Sequence, residues 1–144
     1  MEAQNFSNHA RTVPIYHFVL FPIIALTLIG SFVNLYQSWG DHQRQYSSSL
    51  IVAVMVCLLL LFFLARLFPL KAQDRAIRAE ENLRHYVMTG KLLDPKLTVR
   101  QIIGLRFASD QEFVDLARRA VEENLTEDAI KKAVKNWRAD TYRV

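Results

Sequence analysis

The sequence predicts an all-α membrane protein: an antiparallel two-helix transmembrane hairpin whose second helix extends into a small cytoplasmic helical bundle. Three observations carry that expectation. From residue 50 to 65 every side chain is apolar apart from the thiol of Cys57, and past Arg66 the run resumes through Leu70. A second apolar segment occupies residues 15–39. Charge is concentrated behind both: fifteen Lys or Arg and twelve Asp or Glu follow residue 70, against three and two before it.

A helix over residues 50–70 rises about 30 Å, the hydrocarbon thickness of a bilayer. A soluble core helix of that length would show a polar face, and this one shows none. The earlier segment is wetter. Thr27, Ser31 and Asn34 recur at spacings of four and three and share a face with Gly30, the kind of surface on which another helix packs closely. Its apolar region is too long for a signal peptide and no small-residue cleavage site follows, so a retained helix is expected. Pro14 sits in the first turn, where a missing N–H costs nothing, and Pro22 should kink or loosen the helix one turn in. Residues 40–48 read as a short polar connection, which makes the two helices antiparallel neighbours. Tyr36, Trp39 and Tyr46 beside it resemble an interfacial aromatic belt. That connection holds Arg44 beside Asp41, whereas Arg11, Arg66, Lys71, Arg75 and Arg78 lie at the other end; both termini are therefore expected in the cytoplasm. Arg66 is near enough to that edge to snorkel into the headgroups.

The first domain is expected over residues 1–70, with helices at about 15–39 and 49–69, and the second over residues 71–144. Helices are expected there at about 71–89, 98–107, 109–123 and 126–141. In the first of these, continuing the membrane helix past a bend at Pro69, Ala72, Ala76, Ala79, Leu83 and Tyr86 form a seam of mostly small side chains. Either the bundle or a second protein docks on it. Asp74–Arg78 and Glu80–Arg84 are spaced as acid-first i,i+4 pairs, and Gly90 is placed to end the helix. Thr98 with Gln101 and Ser109 with Glu112 are capping-box pairs, and Thr126 opens the last helix. Apolar stripes follow each: Val99, Ile102, Ile103 and Phe107; then Phe113, Leu116, Ala117, Ala120 and Val121; then Ala129, Ile130, Ala133, Val134 and Trp137. Lys131, Lys132 and Lys135 are expected on the opposite, solvated side. A bundle this small is marginal alone and calls on the 71–89 helix, or a partner, to close its core.

Chemistry is sparse. One cysteine excludes an intramolecular disulfide, and the four histidines are scattered. His17, the histidine nearest a membrane helix, reads as an interfacial side chain bonded to backbone or lipid rather than a haem ligand. Four dispersed glycines form no phosphate loop. Residues 98–121 run helix, turn, helix, but the second helix opens with Asp110, Glu112 and Asp115, which repel phosphates. No nucleic-acid partner, metal, cofactor or catalytic residue is expected. Arg66, Lys71, Arg75 and Arg78 form a basic band suited to setting topology or to attracting anionic inner-leaflet lipids.

The stretches KAQDRAIRAEENLRHY (71–86), LTVRQIIGLRFASDQEF (97–113) and NWRADTYRV (136–144), with Pro14, His17, Phe18 and the Phe21-Pro22 pair, resemble an uncharacterised family of small bacterial membrane proteins. That resemblance implies two membrane helices, a cytoplasmic helical domain of unknown function and a bacterial inner-membrane location. It assigns no catalytic or binding residue. The function expected is a non-enzymatic accessory or scaffold subunit of an inner-membrane assembly, in contact with membrane lipids and with other subunits or further copies of itself. The alternative is a stand-alone module that senses anionic lipid or a signal through its basic juxtamembrane helix.

Overall fold

The computed structural model describes residues 4–8 and 12–140. His9, Arg11 and the Tyr142-Arg143-Val144 terminus lie outside the described residues. Among those described the chain is all-α, without a strand. A π-helical stretch, Ile15–Leu20, leads into α1 (Phe21–Gln37), followed by α2 (His42–Thr89), α3 (Val99–Leu105), α4 (Asp110–Glu122) and α5 (Glu127–Ala133). The chain divides into two compact units, Thr12–Phe68 and Pro69–Val144 with the N-terminal residues.

In the first unit, two helices are long and apolar enough to cross a membrane, and only 11% of the most apolar window of each is buried. Pro22 lacks an N–H and its ring crowds the carbonyl four residues back. The turns before it are wound wider, and the Phe21 N–H reaches the Tyr16 carbonyl. The loosening expected at Pro22 thus takes the form of a π-helical entry. The polar connection is shorter than the expected 40–48, because α2 already begins at His42. Asp41 caps it by accepting from the Arg44 N–H at 3.1 Å. Ser47, Ser48 and Ser49 stay helical by donating to the carbonyls of Gln43, Arg44 and Tyr46. The buried positions of this unit are Ile24, Ser31, Ser38, Ser48, Met55 and Phe62, two sets spaced by sevens, the repeat of helices packed along a seam.

In the second unit, α3, α4 and α5 surround a core of Ile102, Leu105, Phe107, Phe113, Leu116, Ala120 and Ile130. Ile77 of α2 and Leu93 and Leu97 of the following loop complete it, so α2 does help to close the bundle. Gly90, at φ 73°, ends α2 with its N–H on the Tyr86 carbonyl. All three helix starts expected from capping residues are present. Thr98 Oγ1 accepts from Gln101 N and Gln101 Oε1 from Thr98 N; Thr126 Oγ1 accepts from Ala129 N. Glu112 accepts from Ser109 N.

The last helix is much shorter than the expected 126–141. It stops at Ala133, and Val134 is extended. The chain then runs beside residues 107–109, with Ser109 N donating to Asn136 O and Arg138 N to Phe107 O. Two side chains make this exit favourable. The Glu112 carboxylate accepts from the N–H groups of Lys135 (3.1 Å) and Asn136 (3.0 Å), and the Trp137 ring lies 4.8 Å from that of Phe107. Asp140 N donates to Gln4 Oε1 at 2.7 Å, which ties the described N-terminal residues to the end of the bundle. Lys131, expected on the solvated side, is buried: its ammonium is 2.6 Å from Glu127 Oε1 and 5.8 Å from the centre of the Phe107 ring.

Candidate interaction surfaces

α1 and α2 touch at named points in the first unit. The Tyr16 hydroxyl donates to the Phe62 carbonyl, and the two rings stack with centroids 4.0 Å apart. Asn34 Nδ2 donates to Ser48 Oγ at 3.1 Å, and Ser38 Oγ lies 3.0 Å from the same hydroxyl. Of the four residues expected on the packing face, Ser31 is buried between the helices and Asn34 reaches across from their edge. Thr27 and Gly30 stay exposed; Thr27 donates to its own helix at Ile23 O, and a Cβ at Gly30 would meet nothing within 4 Å. His17 Nδ1 lies 2.9 Å from the Val13 carbonyl oxygen, a backbone-bonded histidine as expected.

Past Pro69, α2 turns a different set of residues inward than its alanines suggest. Ala72, Ala76, Ala79, Leu83 and Tyr86 are all exposed, Leu83 by 62% and Tyr86 by 53%. The reading of that seam as packing on the chain's own bundle is therefore wrong. Ile77 is the reason. Its burial in the core puts Glu81 and Arg84, at i+4 and i+7, on the same inward side.

Glu81 and Arg84 form a charged network that the spacing rules missed. Glu81 is 4% exposed, with Arg84 Nη1 at 3.0 Å and Arg138 Nη1 at 3.7 Å from its two oxygens. Arg84 Nε donates to Asp110 Oδ1 and Nη2 to the Ala108 carbonyl, both at 2.8 Å, and the guanidinium lies 4.2 Å over the Phe113 ring. Arg84 thus turns from Glu80 toward Glu81 and α4. Neither expected i,i+4 pair, Asp74–Arg78 or Glu80–Arg84, forms among the described residues. The signal in the sequence was Ile77, whose register places Glu81 and Arg84 beneath it.

The basic band is left open. Lys71, Arg75 and Arg78 are exposed and Arg66 half-buried, and none makes an ion pair among the described residues. An apolar groove of about 400 Å³ lies between the 91–97 loop and α4, lined in part by His85, Leu92, Leu97, Val114 and Val121. His85 is held there by Nδ1, 2.7 Å from the Lys91 carbonyl. No group of three His, Cys, Asp or Glu side chains placed to hold a metal ion occurs among the described residues.

These features define a class: an all-α chain with two helices long and apolar enough to cross a membrane, joined to a packed helical unit. Over residues 1–144 the chain matches a family of unknown function, DUF6526, and belongs to it. No curated protein and no solved structure matches it.

Proposed function

We propose that this protein is a non-enzymatic accessory or scaffold subunit of a bacterial inner-membrane assembly. Residues 12–68 form an antiparallel transmembrane hairpin, and both termini with the helical bundle lie in the cytoplasm. The observation that carries this reading is the uncovered surface of the two long apolar helices, 89% of whose most apolar windows is not buried within the chain. Lipid covers most of such a surface. The Thr27 and Gly30 edge, exposed among the described residues, is suited to a partner helix. The Gln4–Asp140 hydrogen bonds favour placing both ends of the chain on one side. The basic residues Lys71, Arg75 and Arg78 favour the cytoplasmic side.

The test is purification of the tagged full chain in a mild detergent. A stoichiometric partner or a defined homo-oligomer is expected, weakened by Gly30→Leu. A monomer without partners removes the proposal.

A second reading has its own support. Lys71, Arg75 and Arg78 make no ion pair among the described residues even though Asp74 and Glu80 lie within one turn of them, so their charge is available to anionic headgroups. On this reading the full chain prefers bilayers rich in anionic lipid, with a steep salt dependence that replacement of all three by Gln removes.

A further inference from the structure

We infer that residues 72–86 of α2 are a dimerisation seam: a second copy of this chain packs in parallel, Ala72, Ala76, Ala79, Leu83 and Tyr86 against the same residues. Reciprocal Arg75–Glu80 ion pairs between the chains set the register. The five positions follow spacings of 4, 3, 4 and 3, which is the alternation of a and d positions in a two-stranded coil. Ala76 and Leu83 take a; Ala72, Ala79 and Tyr86 take d. The outward positions b and f of the same heptads are Ile77 and Arg84, and Asp74 and Glu81. Ile77, Glu81 and Arg84 are the residues that pack on the chain's own bundle. The bundle therefore occupies the back of the helix, and the five a and d positions stay exposed among the described residues.

Charge complementarity selects the occupant. Arg75 falls at g and Glu80 at the e position of the following heptad, the two positions that face each other across a parallel coil. Both are exposed, and neither has an ion-pair partner among the described residues. A two-fold axis brings each Arg75 to the Glu80 of the other copy and satisfies both charges twice over. Alanine at three of the five seam positions lets the backbones approach closely. Two heptads are short for a free coil. A shared membrane supplies both the parallel orientation and a high local concentration, and in this the inference rests on the membrane reading above.

The test uses the full chain in native membranes, with Cys57→Ala removing the resident thiol. Ala76→Cys and Ala79→Cys should each oxidise to a covalent dimer, whereas Lys71→Cys and Arg78→Cys, exposed but off the seam, should not. Arg75→Glu or Glu80→Arg alone should weaken dimerisation about five-fold, the scale of losing two exposed pairs and gaining repulsion, and the double exchange should restore it. Cross-linking at 71 and 78 as readily as at 76 and 79 overturns the inference. So does capture of a different protein by the seam cysteines, or a double exchange no better than the single changes. Alkaline carbonate extraction is read separately: release of the chain removes the membrane reading, and the cross-linking pattern still decides the seam.

Discussion

Glu112 shows how one side chain can serve two purposes, only one of which a local pattern reveals. Its place three residues after Ser109 marks it as a cap, but its carboxylate also holds the N–H groups of Lys135 and Asn136. Partial burial pushes its pKa up, yet the backbone donors of Lys135, Asn136 and Ser109 outweigh that and hold it below the ordinary value of 4.5. A carboxylate lowered on folding stabilises fully above its unfolded pKa, and that stabilisation is lost as pH falls through the folded value. Glu112→Gln should therefore lower stability near neutrality by about 1 kcal/mol, a modest figure because the site is half open to solvent. In thermal unfolding of the full chain, variant and wild type should converge once the pH is well below 4.5. Glu81 is more deeply placed. Glu81→Ala removes one of the two carboxylates that Arg84 engages and leaves it Asp110, and should cost about 2 kcal/mol, read as a fall in the bundle's unfolding temperature.

At the scale of elements, the helix starts were legible because a cap is local: Thr98, Ser109 and Thr126 need only a partner three residues on. Helix ends were less so. Nothing near Ala133 stops α5; the exit at Val134 depends on Glu112 and Phe107, more than twenty residues away in sequence. Gln101 has a similar second role, since beyond closing its own cap it donates to the Leu125 carbonyl at 2.9 Å. α3 and α5 approach closely at Gly104, where a Cβ would lie 3.1 Å from the Glu127 carbonyl oxygen and 3.2 Å from Ile130 Cγ2. Gly104→Val should force the two helices apart and cost about 2 kcal/mol, with the α3 and α5 amides losing hydrogen-exchange protection first. In the first unit, Ser48→Val removes the hydroxyl shared by Asn34 and Ser38 and should cost about 1 kcal/mol of helix–helix association in detergent.

For the whole molecule, the hairpin reading makes an expectation that can be checked without any partner. In intact cells carrying Cys57→Ala, a membrane-impermeant maleimide should label Gln43→Cys, in the first turn of α2, and should leave Lys91→Cys, in the loop after it, unlabelled until the cells are opened. Labelling at Lys91→Cys from outside would reverse the topology.

What the sequence determined by itself is what depends on composition and near neighbours along the chain: two long apolar helices, the mixed-charge half, the caps and the three apolar stripes. The tertiary structure decided which way α2 faces past Pro69. Periodicity along that helix pointed to the alanine seam, not to the side carrying Ile77, Glu81 and Arg84. Burying Ile77, with Arg84 laid over Phe113 and bonded to Glu81, stabilises the latter side. The partners in that choice come from α4 and the 134–140 segment, distances in sequence that no local pattern spans.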